Sequence, residues 1–308
     1  MRIATPDLVT NSYFPALAAE ELGLYREEGL DAHLELLPSL EAVNALRDGA
    51  VDFVAGGAHT MLLAFPQWKG ARLVVTLSQG TPWLLVLRAD LAARRGDIGA
   101  VKGLRIGAAP GPDRAFRRLL AEAGLDPARD NITIAPVPGA LEPGASFGVV
   151  AAEALERRLV DGFWANALGS ETAVRQGVGK VIADVRRGDG PPGAGQYTFA
   201  ALSTTDALIA REPERVAAAV RAIVRAQSLL RKEPARAQEV GRRRFPPAAA
   251  EIITAIVERD LPFYDPGIGE PAVTAMNRFA QAIGLLTGPV AYDQVVATRF
   301  RSLWSAPA

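Results

Sequence analysis

Residues 11–31 read NSYFPALAAEELGLYREEGLD, and this stretch decides the fold. Its apolar residues recur at helical spacing and predict a helix over residues 14–24 that is stopped at Gly23. A β-like run at residues 2–8 precedes the helix, and an alternating run at residues 33–37 follows it. The stretch is therefore the crossover of a strand–helix–strand unit, which is typical of an α/β fold.

The same alternation of strands and helices continues along the chain, and one pattern occurs twice. GLD at residues 29–31 precedes a strand, a helix and the run DGAVDF at 48–53. GLD at residues 124–126 precedes a strand, a helix and the run RLVDGF at 158–163. We interpret this as two similar α/β lobes of mostly parallel strands, although any two βαβ units share part of the pattern. The Gly- and Pro-rich residues 186–195 predict a loop or hinge.

The last third of the chain is predicted to be helical. Helices are expected at residues 213–232, 234–244, 248–259, 271–283 and about 292–304. The arginine run at residues 242–244 is interpreted as a solvated helix end and not as a nucleic-acid contact.

The composition excludes several classes of function. The chain has 308 residues, enough for two domains, and its 34 basic and 34 acidic residues give no net charge. This balance argues against nucleic acid or an anionic membrane as a partner. The absence of cysteine excludes disulfides, thiol nucleophiles and Cys-ligated metals, and only His33 and His59 are histidines. We therefore predict no catalytic residue, no metal ligand and no cofactor.

No targeting or membrane segment is predicted in the chain. The first residues contain no apolar run, so we expect no signal peptide. The longest weakly apolar stretch, at residues 51–65, falls short of the roughly 20 apolar residues that span a bilayer.

Several runs together resemble one family, the solute-binding proteins of ABC importers for nitrate, taurine, aliphatic sulfonates and thiamine-pyrimidine precursors. In that family an A-x-E-x-G-L-[FY]-x-x-E-G-L-D-[AV] run follows the first strand, and the stretch at residues 11–31 is similar to it. Weaker similarities follow in the family's order: LRDGAVDF at 46–53, VKGLRIG at 101–107, RLVDG at 158–162 and FAQAIGLL at 279–286. The resemblance covers nearly the whole chain.

The resemblance implies a two-lobed Venus-flytrap fold of the type II periplasmic-binding-protein kind. Each lobe would be a small sheet flanked by helices, and the C-terminal region would be helical. Lobe 1 would comprise residues 1–82 and 198–308, and lobe 2 residues 83–197, with two hinge crossings. A small ligand would be captured in the cleft between the lobes, unchanged, for the membrane permease of an ABC importer. We expect a monomer, in the periplasm or tethered to the cell surface if a leader has been removed, and in the cytoplasm otherwise.

Candidate ligand-binding residues follow from the rule that ligands of α/β sheets bind at the carboxyl ends of strands. Helices that begin there present free N–H groups and a positive dipole end, which favours an anionic group. The backbone N–H groups of Ser39, Gly57 and Gly111 are the expected donors, and aromatic rings are expected to wall the site. The predicted ligand-binding residues are Asn11, Ser12, Tyr13, Phe14, Ser39, Gly57, His59, Gln79, Trp83, Gly111, Asp113, Trp164 and Asn166.

Several of these residues have an ordinary structural explanation as well. Asn11 and Ser39 could cap helices, His59 could lie at the edge of a core, and the aromatic residues could be packing residues. A carboxylate at Asp113 would repel an anion unless it caps its own helix or meets a ligand amine. A zwitterionic or heterocyclic ligand therefore stays open.

Two other functions also stay open at this point. One is an enzyme on the same fold, such as the desulfinases or pyrimidine-forming enzymes that resemble this family. Those enzymes depend on a cysteine, or on His and Cys together, and this chain has no cysteine. The other is a cytoplasmic ligand sensor, which would suit the missing leader.

Overall fold

The computed structural model describes residues 1–142 and 144–305 of the 308-residue chain. The chain folds into two compact units. Unit 1 comprises Met1–Gly80 and the chain from Thr198 onward, and unit 2 is the contiguous segment Thr81–Tyr197. The chain therefore passes from one unit to the other twice.

Each unit contains one mixed sheet. The strands are β1 (Arg2–Thr5), β2 (His33–Leu36), β3 (Phe53–Gly57), β4 (Ala71–Ser78), β5 (Leu84–Arg88), β6 (Arg105–Ala108), β7 (Thr133–Ala135), β8 (Gly162–Ala165), β9 (Gly179–Asp184) and β10 (Ala200–Thr205). The strand order is β2-β1-β3-β10-β4 in unit 1 and β7-β6-β8-β5-β9 in unit 2.

Helices flank both sheets and make up most of the chain after β10. They are α1 (Phe14–Glu21), α2 (Leu24–Glu27), α3 (Ser39–Arg47), α4 (Pro112–Glu122), α5 (Phe147–Glu156), α6 (Ala167–Arg175), α7 (Asp206–Arg211), α8 (Pro213–Lys232), α9 (Arg236–Arg244), α10 (Pro247–Asp260), α11 (Glu270–Ala282) and α12 (Tyr292–Val295). Within the described ranges, no helix combines the length and the apolar character needed to cross a bilayer.

The two sheets have the same pattern of strand directions. In unit 1, β1 pairs in parallel with β2 and β3, and β10 runs antiparallel between β3 and β4. In unit 2, β6 pairs in parallel with β7 and β8, and β5 runs antiparallel between β8 and β9. The prediction of mostly parallel strands is confirmed, because four of the five strands in each sheet run in one direction and only the strand that follows each crossing, β5 or β10, runs in the opposite direction.

The likeness of the units extends to individual hydrogen bonds. The Asp52 N–H donates to the carbonyl of Arg2 (2.9 Å), and the Arg2 N–H donates to the Asp52 carboxylate (2.8 Å). The same reciprocal pair joins Asp161 and Arg105, at 2.8 and 3.0 Å. Each aspartate thereby fixes the start of the strand that lies between two parallel neighbours, β1 in unit 1 and β6 in unit 2. The Val-Asp pair that occurs in both DGAVDF and RLVDGF therefore supplies the aspartate of this reciprocal hydrogen bonding.

We expect Asp161→Asn to destabilise the protein at pH 7. Hydrogen bonds from the Arg105 guanidinium and its backbone N–H lower the pKa of Asp161. A lowered folded-state pKa means that the stabilisation is present above the ordinary carboxyl pKa of about 4 and is lost as the pH falls through the folded value. Solvent screens this pair near the surface, so the expected loss is about 1 kcal/mol.

Urea unfolding at pH 7 and at pH 3 measures this effect. The exposed Asp97 in the same unit is the matched control, and Asp97→Asn should change little at either pH. An equal loss for Asp161→Asn at both pH values would contradict the electrostatic explanation.

The acidic residues of the opening stretch hold the C-terminal helices. Glu28 accepts hydrogen bonds from Arg221 (2.7 Å) and Arg225 (3.1 Å) of α8. Glu20 accepts one from Arg244 of α9 at 2.6 Å. The prediction that residues 242–244 form a solvated helix end is therefore wrong for Arg244, which is an ion-pair partner of α1.

The predicted stop of the first helix at Gly23 is confirmed, because α1 ends before this residue, whose left-handed φ of 76° glycine adopts without strain. The short helix α2, which begins directly after Gly23, and two further features differ from the sequence prediction. The last helix breaks after α12, because Val296 forms a bridge with Leu73 of β4. The pair formed by α6 and β9 was not predicted at all.

The helices α5 and α6 pack so closely that only glycine fits between them. A Cβ atom on Gly169 would lie 2.2 Å from the carbonyl oxygen of Gly148 and 2.6 Å from its Cα. Backbone therefore lies against backbone at this point, and a side chain at position 169 would have to push one helix away.

Candidate functional site

Polar residues follow β1 and β3, whose carboxyl ends are neighbours because the strands pair in parallel. Asn11 and Ser12, which lead into α1, are 0% and 2% exposed. The Gly57 backbone lies close enough to the Tyr13 phenol to lower its pKa, so the two segments are neighbours. His59 lies beside Gly57, since its Cε1 is 3.4 Å from where a Gly57 Cβ would be. We call Asn11, Ser12, Tyr13, Gly57 and His59 the unit 1 edge cluster.

The Tyr13 side chain remains a neutral phenol. Burial and the nearby Asp7 carboxylate raise its pKa well above the ordinary tyrosine value, and the Gly57 backbone opposes this only in part. Gly57, whose N–H is one of the three donors expected for an anionic ligand, thus lies beside the Tyr13 phenol.

Asn11 is held by the C-terminal region of unit 1. Its Nδ2 donates to the carboxylate of Asp260, at the end of α10, and its carbonyl accepts from the Tyr264 hydroxyl at 2.8 Å. In the described part of the chain, neither Asn11 Oδ1 nor Ser12 Oγ has a hydrogen-bond partner, although both atoms are buried. An unsatisfied buried polar atom costs free energy, and here two of them lie on consecutive residues.

His59 is a buried histidine with internal contacts. It is 4% exposed, and its Nδ1 lies 2.8 Å from Thr198 Oγ1. Its ring meets Phe279 edge to face, with centroids 5.5 Å apart. Thr198 is the first residue of unit 1 after the second crossing. His59 therefore links the edge cluster to Thr198, the residue at which the chain re-enters unit 1.

Three residues predicted for unit 1 do not join the edge cluster. Phe14 is fully buried and packs against Phe245 at 6.0 Å. Gln79 donates to the carbonyls of Asp265 (3.2 Å) and Gly267 (2.6 Å), which makes it a loop anchor. Ser39 is the first residue of α3, and its side chain does not cap that helix. The expected N-cap role of Ser39 is therefore wrong.

The two predicted aromatic residues of unit 2 differ in exposure. Trp164 is 0% exposed and stacks on Phe116 with centroids 5.5 Å apart. Trp83 packs on the other indole at 6.3 Å and keeps part of its surface accessible. Trp164 thus packs in the unit 2 core, and of the two indoles only Trp83 has accessible surface for a ligand.

A surface pocket lies at the carboxyl ends of β6 and β7, where α4 begins. It is lined by Ala108, Pro110, Gly111, Asp113, Arg114, Ile134, Ala135 and Pro136, and we call it the unit 2 pocket. Asp113 accepts the N–H of Gly111 at 2.9 Å, so it caps its own turn and engages one of the three expected donors. The exposed guanidinium of Arg114, which was not predicted, supplies a positive charge beside it.

Asn166 follows β8 at the same edge of the unit 2 sheet and serves as a helix cap. Its Oδ1 accepts the N–H of Gly169 at 3.2 Å, at the start of α6. This bond satisfies one of the free N–H groups of the helix, so the structure gives Asn166 a local role.

Among residues 1–142 and 144–305, no three His, Asp or Glu side chains are grouped in a way that could hold a metal ion.

The fold is similar to that of solved binding proteins over nearly its full length. The periplasmic aliphatic sulphonate-binding protein of Escherichia coli shares 15% identity, covers 96% of this chain and 91% of its own, and gives a TM-score of 0.72. The periplasmic nitrate-binding protein of Synechocystis PCC 6803 shares 16% identity over 98% of this chain and 86% of its own, with a TM-score of 0.72. The predicted fold class is confirmed: two sheets flanked by helices, with a helical C-terminal region.

The fold is also similar to that of an enzyme. A cysteine-to-serine mutant of a desulfurization enzyme, solved with biphenyl-2-sulfinic acid, shares 19% identity over 98% of both chains, with a TM-score of 0.64. No curated protein matches the chain in sequence.

The family is shown by the sequence itself. Residues 8–243 match the NMT1-like family, and they make up about three quarters of the 308-residue chain. The matched range contains the opening stretch, the edge-cluster residues and all of unit 2. The chain therefore belongs to the NMT1-like family.

Proposed function

We propose that the protein is the solute-binding component of an ABC importer and that it binds a small anionic or zwitterionic organic ligand. The observation that carries this proposal is the pair of buried, unpartnered polar atoms, Asn11 Oδ1 and Ser12 Oγ, at the start of α1. A ligand that completes these hydrogen bonds would remove their desolvation cost. The fold shared with sulfonate- and nitrate-binding proteins supports the same function.

The chemistry of the edge cluster suits binding. Ser12 and Tyr13 offer hydroxyl groups, and the N-terminal end of α1 carries a positive partial charge. In unit 2, the Arg114 guanidinium beside the start of α4 suits an acidic group. We propose that the edge cluster contacts the ligand and that the two units are the two lobes of the binding protein.

Binding measurements on one variant test the proposal. We expect Ser12→Ala to weaken binding by about 5–30-fold, because removing one hydrogen-bonding group at a buried site costs about 1–2 kcal/mol. Calorimetry and thermal shift with sulfonates, carboxylates, nitrate and pyrimidines would identify the ligand and measure this change.

Ser203, a buried serine in the middle of β10, provides the matched control. Ser203→Ala should leave the affinity unchanged. A panel in which no compound binds, or unchanged binding by Ser12→Ala, would contradict the proposed site.

We further propose that the ligand is released unchanged. The related enzyme was solved with a cysteine replaced, and this chain contains no cysteine. His59 is engaged with Thr198, and His33 is an exposed residue of the edge strand β2. Product recovered in excess over protein after incubation with the bound compound would refute this and favour an enzyme.

The proposed partner is the membrane permease of an ABC importer, and the proposed location is outside the cytoplasmic membrane, as monomers. The related sulphonate- and nitrate-binding proteins are described as periplasmic, which supports this location. Cell fractionation separates it from a cytoplasmic ligand sensor, because a sensor would stay in the cytosolic fraction.

A further inference from the structure

Asn11 presents a hydrogen-bond acceptor that the described part of the protein leaves unused. The residue is 0% exposed, yet its Oδ1 has no partner. Its Nδ2 donates to Asp260, and its backbone carbonyl accepts from Tyr264. Only an incoming donor can therefore complete the hydrogen bonding of this side chain.

The orientation of the Asn11 amide is fixed by its neighbour. A carboxylate can only accept hydrogen bonds, so the amide must turn its NH₂ group toward Asp260. Arg259 forms an ion pair with the same carboxylate, at 3.4 Å. Turning the amide over would place two acceptors against each other, so Oδ1 faces away from Asp260.

The charges around the edge cluster also favour a ligand group that donates a hydrogen bond. The segments that follow the parallel strands of unit 1, at residues 6–13, 37–40 and 58–60, contain neither lysine nor arginine. Their one acidic residue, Asp7, lies close enough to Tyr13 to raise the pKa of the phenol. An acceptor-only anion would find neither lysine nor arginine in these segments and would meet the unpartnered acceptor Asn11 Oδ1.

We propose that the ligand presents an N–H or O–H donor to Asn11 Oδ1, and that Asp260 is the positioning residue that sets this preference. This inference rests on the proposed binding function and narrows its ligand class to compounds with a hydrogen-bond donor. Bare anions such as nitrate or an unsubstituted alkanesulfonate are then poor ligands. The hydroxyl of Ser12 can either donate or accept a hydrogen bond, so it does not discriminate between donor-bearing ligands and bare anions.

Pairs of compounds that differ in one donor group test the preference in the wild-type protein. Suitable pairs are 2-aminoethanesulfonate with propane-1-sulfonate, 3-aminopropanoate with butanoate, and 4-aminopyrimidine with 4-methylpyrimidine. We expect the donor-bearing member of any pair that binds to have a Kd roughly tenfold lower or better, because a buried acceptor left unpaired is costly.

The variant Asp260→Asn tests the positioning role. An asparagine at this position can donate to Asn11 Oδ1 and accept from Nδ2, so the amide loses its fixed orientation and its free acceptor. The ratio of the Kd values of the two members of a pair should then fall toward one. Asn277→Ala, at a second buried asparagine with an unpartnered Oδ1, is the control and should keep the preference.

Each outcome is decisive. Equal or tighter binding of the acceptor-only members overturns the inference and leaves the proposed binding function standing. An unchanged preference in a folded Asp260→Asn protein removes the positioning role. If that variant does not fold, the wild-type pairs alone decide the donor preference. Binding of no compound, in these pairs or in the wider panel, counts against the binding function itself and takes the inference with it.

Discussion

Trp164→Ala is expected to lower the free energy of unfolding by about 3–5 kcal/mol, the range for truncating a large aromatic residue in a core. The indole is fully buried, stacks on Phe116 and also contacts Trp83. Because α4 carries Phe116 and β8 carries Trp164, removing the indole would leave a cavity between this helix and the sheet of unit 2. Denaturant unfolding followed by circular dichroism measures the loss.

Trp83→Ala is the matched comparison for this change. Its ring is partly accessible, so its removal should cost about 1–2 kcal/mol and should instead affect ligand binding. If Trp164→Ala unfolds like the wild type, the ring is not part of the core. A loss of binding in a Trp164→Ala protein of full stability would return that residue to the ligand site.

Gly169→Ala is expected to cost about 3 kcal/mol, at the upper end of the range for overpacking. The added methyl group would lie 2.2 Å from the Gly148 carbonyl oxygen, and backbone atoms cannot move aside as a flexible side chain can. The helices α5 and α6 would have to separate, and Asn166, which caps α6, would lose its contact with Gly148.

Gly288→Ala is the control, since a Cβ there would meet nothing within 4 Å. Thermal unfolding of both variants separates the steric effect from the general effect of adding a methyl group. A Gly169→Ala protein as stable as the control would show that α5 and α6 can separate without cost.

The local parts of the fold could be predicted, and the long-range pairings could not. Helix α8 begins and ends where the apolar spacing predicted, at Pro213 and Lys232. The bridge between Val296 and Leu73 that ends α12 joins residues more than 200 positions apart, and no local pattern records it. The antiparallel entry of β10 also depends on partners distant in sequence.

The same division applies to the candidate site. The rule that ligands bind at the carboxyl ends of strands selected Asn11 and Ser12, and the buried, unpartnered atoms of these residues carry the proposed function. It could not select Asp260, which contacts Asn11 across 249 positions. Aromatic residues were assigned to the site by position alone, although Phe14 is covered by the distant Phe245.

The placement of β10 has a consequence for the order in which the chain can fold during synthesis. A nascent chain that ends at Gly80 contains β1 to β4 but lacks the strand that lies between β3 and β4. Unit 2 is contiguous and contains all of its strands, so it can complete its sheet first. Unit 1 can complete its sheet only after β10 has been made, and a folded unit 2 shortens the effective loop between the two segments of unit 1, which lowers the entropic cost of joining them. The unit whose synthesis begins first is therefore the one completed last.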